Sequence, residues 1–144
     1  MGLNYFNTDP ASGMRYYTIY GKQDGDASAT DPPLIAGVVP TNMAGKIHSI
    51  AAKCLGPVAA DATVTITCTR LREGDDVADD EVALTDPAAI TIGETDTENT
   101  WEEGVLVDAA KHVKAGDVLL FDIGLTGTPN NDGTMVRFEI EPFF

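Results

Sequence analysis

Basic residues are scarce. Nine Lys and Arg face 23 Asp and Glu over 144 residues, a formal charge of −14. Loose attraction to DNA, RNA or an anionic membrane is therefore disfavoured, because phosphate neutralisation supplies most of that affinity. Histidine is rarer still, with His48 and His112 only, so general-base and nucleophilic catalysis have few groups to draw on. Cys54 and Cys68 form no CxxC pair, and neither histidine is spaced to complete a zinc site with them. No apolar run approaches the ~20 residues of a membrane-spanning helix. The opening Met1-Gly2-Leu3-Asn4-Tyr5-Phe6 lacks the basic and long apolar regions of a secretory signal. Free thiols and synthesis in a reducing cytoplasm are expected. The sequence contains no Gly-Xaa-Ser-Xaa-Gly elbow, phosphate loop or His-Glu-Xaa-Xaa-His motif. The expectation is a protein that is not an enzyme and needs no cofactor or metal.

Apolar residues make up 43% of the chain, enough for one domain with a core. Residues 1–40 are turn-rich, with Asn7 to Gly13 and Gly21 to Ser28 flanking the β-prone run Met14 to Tyr20. They read as an irregular N-terminal arm with one short strand, leaving residues 41–144 as the domain. From Leu34 onward, short apolar runs alternate with turn signals: Leu34–Val39, Lys46–Leu55, Ala62–Leu71, Glu81–Leu84, Ala88–Ile92, Trp101–Val107, Val118–Leu125 and Met135–Ile140. Alternation is clearest where Val64, Ile66 and Cys68 face one way and Thr63, Thr65, Thr67 and Thr69 the other. Val136, Phe138 and Ile140 should likewise seek the core. His48 would share a face with Lys46 and Ile50. Asp108 to Ala115 alone has helical composition, and it is too short for an independent helix. A turn or loop is expected there. The pattern predicts an all-β fold, an antiparallel β-sandwich or barrel, and the sandwich is the expectation.

Two acidic loops, Asp24-Gly25-Asp26 and Asp75-Asp76 with Asp79-Asp80, offer oxygens to Ca²⁺ but do not follow the EF-hand pattern. They are read as solvated loops. Trp101, the sole tryptophan, suits packing at a strand end or subunit interface, or a sugar-stacking platform. Phe6, Tyr16, Tyr17 and Tyr20 would anchor the arm on a neighbouring subunit or pack on their own sandwich.

The segment from Lys46 to Ile140 resembles the small jelly-roll decoration, or cement, proteins of tailed-bacteriophage heads. Carrying the resemblance are Gly45-Lys46-Ile47-His48-Ser49-Ile50, the Thr-alternating Ala62 to Thr67, Ala88 to Gly93 and Val113-Lys114-Ala115-Gly116-Asp117-Val118-Leu119-Leu120-Phe121. A Gly/Asn loop and a final amphipathic strand complete it. In such proteins an Ala-Gly-Asp loop leads into a core strand, with Gly116 relieving a tight turn and Asp117 bonding nearby amides. The resemblance implies a jelly roll and a virion structural protein on the outer capsid surface. It would bind the major capsid protein as an oligomer, a homotrimer by expectation, and stabilise the shell. Phe6, Tyr16, Tyr17, Tyr20 and Trp101 are then the interface candidates. The alternative is a jelly-roll carbohydrate- or receptor-binding module of a head or tail fibre.

Overall fold

The structure is a computed structural model, and it describes residues 4–8, 15–76, 81–86, 90–108 and 111–143. Among the described residues there are eleven strands: β1 (Asn4–Thr8), β2 (Arg15–Asp24), β3 (Leu34–Val38), β4 (Ala44–Cys54), β5 (Thr63–Leu71), β6 (Val82–Ala83), β7 (Ile90–Gly93), β8 (Glu102–Glu103), β9 (His112–Lys114), β10 (Val118–Thr126) and β11 (Gly133–Pro142). The first sheet has the order β1-β2-β11-β4-β8, with β9 also on β4. The second has the order β3-β10-β5-β6, with β7 also on β5. All pairings between these strands are antiparallel. The inner orders β2-β11-β4-β9 and β3-β10-β5-β7, with the chain passing between sheets from β2 to β5 and from β9 to β11, are those of a jelly roll. The expected all-β antiparallel sandwich is therefore what the chain forms.

The core lies between the sheets. Ile19, Ile47, Ile50, Val136, Phe138 and Ile140 of the first sheet meet Val64, Ile66, Cys68, Ile90, Leu119 and Phe121 of the second, all within 1% of complete burial. The period-two alternation of β5, β10 and β11 puts these side chains on one face, and burying each apolar side chain contributes about 1.5–3 kcal/mol. The sheets approach each other tightly at Gly21. A Cβ there would lie 2.5 Å from Phe121 Cε1 and 2.9 Å from the Ala36 Cβ.

Three expectations need correcting. The irregular 1–40 segment with one short strand carries β1, β2 and β3 in its described residues. Ile19, Ala27, Ala36 and Val39 share one core with Phe121 and Phe138. The reason is long-range pairing: β2 runs along β11 from Asp24↔Gly133 to Tyr17↔Ile140, and local composition does not announce such a partner. The turn-rich stretch after β2 is tied down as well. Thr30 donates through Oγ1 to Asp122 and accepts from Ile123 N (2.9 Å), and Asn131 Oδ1 accepts from Ala27 N.

The second correction concerns parity in β4. Glu139 pairs with Ser49 but Ile140 with Ile47, so His48 is the extra residue of a β-bulge. Ile47 and Ile50 both turn inward because of it, and His48 does not share the face of Ile50.

The third concerns residues 108–115. His112–Lys114 form β9, paired with Ala44–Lys46, because an open edge of β4 outweighs the weak local helical preference. The turn after it behaves as its sequence suggests. Gly116 has φ +86°. The fully buried Asp117 accepts through Oδ2 from Lys114 N and Arg72 Nη1, both at 2.9 Å.

Candidate binding face

β2, β11 and β4 lie side by side, and their outward residues form rows across the first sheet. Tyr20 pairs with Arg137, Arg137 with Ala51, and Ala51 with Glu103. Ala51 is small, so the Arg137 guanidinium reaches over it and donates from Nη2 to Glu103 Oε1 at 3.1 Å. Arg137 Nε also lies 3.3 Å from Glu139 Oε1. The chain enters β8 through Trp101, and this delivers the indole onto the same row. The Arg137 Cζ is 4.7 Å and the Lys53 Nζ 4.6 Å from its ring, both within cation–π range. The Tyr20 ring is 6.1 Å away, tilted by 34°.

One row further, Lys22, Met135 and Lys53 stand abreast. Beside them opens a groove of about 760 Å³. Met135 and Thr134 contribute to its floor, Trp101 and Tyr20 are its aromatic wall, and Lys22, Gln23, Asp24, Lys53 and Leu55 complete the lining. Lys22 Nζ is 3.4 Å from Asp24 Oδ1 in an exposed pair, which holds it weakly. Lys53 makes no ion pair among the described residues, and its contact is the Trp101 ring.

The interface candidates therefore separate. Tyr20 and Trp101 come together in this face. Tyr16 lies farther along it, stacked on the bulged His48 with ring centroids 4.4 Å apart. Tyr17 turns the other way and packs against the core. Phe6 sits opposite Tyr17 in the β1–β2 register. Lys53, Arg137 and Met135 were not singled out from the sequence. Arg137 was legible as an outward residue of the last strand, but only the β11–β4 register puts it under Trp101.

Other chemical candidates stay dispersed. Cys54 lies in the first sheet and Cys68 in the second, both buried and free. Burial pushes both thiols up, that of Cys54 partly offset by hydrogen bonds from Asn131 and Thr134. A thiol held neutral is a poor nucleophile. Burial, then the neighbouring Arg72, lowers the Arg70 guanidinium, which donates from Nη1 to the His112 carbonyl. No group of three His, Cys, Asp or Glu among the described residues is arranged to hold a metal. Asp79 and Asp80 of the second acidic loop lie outside the described residues.

No family model matches the chain, and no curated protein or solved structure matches it significantly.

Proposed function

We propose that this chain is a non-catalytic assembly protein, a decoration or cement protein of a virus head that binds the outer shell as an oligomer. The observation that carries the reading is the outer strand of the second sheet. β3, with the sequence Leu34-Ile35-Ala36-Gly37-Val38, has no charged residue and pairs with β10 on one side only among the described residues. It leaves Ile35 64% and Val38 48% exposed. Proteins that stay apart protect such edges with charges, proline or a cover. An uncharged apolar edge accepts a further strand, and in a chain of charge −14 a strand with no charge of its own adds nothing to self-repulsion.

Used head-to-tail, this edge of one copy meets a different surface of the next, a heterologous contact that closes into a ring. A ring of three matches a local three-fold position on an icosahedral shell. The major capsid protein is then the second partner, and the interface energy opposes expansion of a filled head. Stable interfaces of this kind bury about 1,600 Å² with apolar anchors at the centre.

The test is Ile35→Lys with Val38→Lys, measured by light scattering and by retention on purified capsids. The reading expects an assembling, capsid-retained parent and a folded variant that is monomeric and unretained. A parent that is monomeric and never adheres to capsids would sink it.

A further inference from the structure

We infer that the Trp101 groove is a binding site for a carboxylate-bearing saccharide, such as a uronic-acid oligomer, with Lys53 as the cation that reads its charge. This goes beyond the assembly reading and does not depend on it, since the groove lies on the first sheet and β3 on the second.

Size comes first. About 760 Å³ is within the ~300–1,000 Å³ of small-ligand clefts. The lining then sets the chemistry. An indole and a phenol tilted by 34° offer apolar faces to the C–H side of a sugar ring. Lys22 and Asp24 on one side supply donors and acceptors for hydroxyls, while the Gln23 amide is bonded to Ser28.

Charge decides the class. Lys22, Lys53 and Arg137 cluster here, three of the nine basic residues of a strongly acidic chain. Their states differ. Arg137 is committed to Glu103 and Glu139, and Lys22 stands beside Asp24. Lys53 alone has no carboxylate within the described residues and rests on the Trp101 ring. An ammonium over an aromatic ring at a partly exposed site is held weakly. A ligand carboxylate outcompetes the ring, because an ion pair backed by a hydrogen bond is the stronger contact. When Lys53 swings to the carboxylate, the indole is uncovered for the sugar. Lys53 thus covers the platform when the groove is empty and selects an anionic ligand when it fills.

Trp101 is the only tryptophan, so its fluorescence reports the groove directly. The experiment titrates the full chain with a hyaluronan tetrasaccharide, with the same tetrasaccharide carboxyl-reduced to its neutral form, and with a tetraglutamate peptide. The expected result is a saturable change in Trp101 emission with the acidic sugar. Binding should weaken about tenfold or more for the neutral sugar and for Lys53→Met, the loss of one ion pair. Circular dichroism unchanged from the parent keeps Lys53→Met interpretable, and calorimetry on Trp101→Phe checks the ring's share. Equal binding of neutral and acidic sugars, equal binding by Lys53→Met, preference for the peptide, or no saturable response to the acidic sugar would each overturn the inference.

Discussion

The two sheets share a core and differ in almost everything they show outward. Strands of the first sheet carry Arg15, Lys22, Lys46, Lys53, Lys114 and Arg137, six of the chain's nine basic residues, together with Asp24, Glu102, Glu103, Glu139 and Glu141. Strands of the second carry two charges, Arg70 and Asp122. The outward row of β5 is Thr63, Thr65, Thr67 and Thr69, next to Thr91 of β7 and Thr126 of β10. One sheet thus presents paired charges and aromatics, suited to selecting a ligand by its side groups. The other presents a neutral surface ending in the apolar edge β3, suited to contact with another protein. On the assembly reading proposed above, separating the two would let a strongly acidic chain associate through a surface with few charges of its own.

The largest effects are expected where the sheets meet. Phe121→Ala should destabilise by about 3–5 kcal/mol in urea unfolding. Gly21→Val should cost about 3 kcal/mol or more by forcing Phe121 and Ala36 apart. The Gly21 variant is the sharper of the two, because residues 1–40 would tolerate it if they were a detachable arm. Next comes the support of the second sheet's central strand. Asp117→Ala should cost about 2–3 kcal/mol, since it strips Arg72 and the Lys114 amide of a buried charged acceptor. Asp117→Asn should retain part of that loss, and a neutral result for both would remove the role given to the Ala115-Gly116-Asp117 turn.

A smaller effect depends on pH. Burial holds both thiols above their ordinary value in the folded chain. Unfolded thiols ionise near pH ~8.5. Below that pH the contribution is complete. Above it the unfolded state loses protons that the folded state keeps, so stability falls as pH rises. About 1 kcal/mol should be lost through Cys68 by pH ~9.5 relative to neutral pH, with Cys54 acting in the same direction. Cys68→Ala should flatten that decline, at a packing cost of about 1 kcal/mol. A reagent that labels either thiol rapidly in the folded protein would contradict their burial.

The sheet faces were legible in the sequence wherever alternation ran unbroken. Val64, Ile66 and Cys68, and again Val136, Phe138 and Ile140, turn inward as their spacing requires. Alternation fails where a residue is inserted. The bulge at His48 has no compositional signature, so counting by two puts Ile47 on the wrong face. The continuation of β2 past Tyr20, and all of β9, were hidden for another reason. Their stability comes from partners distant in the chain, β11 and β4, and not from their own residues. The same limit applied to the groove. Trp101 and Tyr20 stood out as aromatics, but Lys53 and Arg137 became part of one face only through register.

The most direct test of the division between the sheets is the solution mass and capsid retention of Ile35→Lys/Val38→Lys beside those of Lys53→Met. Both variants should keep the parent's stability to within about 0.5 kcal/mol, because both change exposed or half-exposed positions. The edge variant should be a monomer that capsids do not retain, while Lys53→Met assembles and binds capsids like the parent. An edge variant that assembles and is retained as well as the parent would contradict the role given to β3.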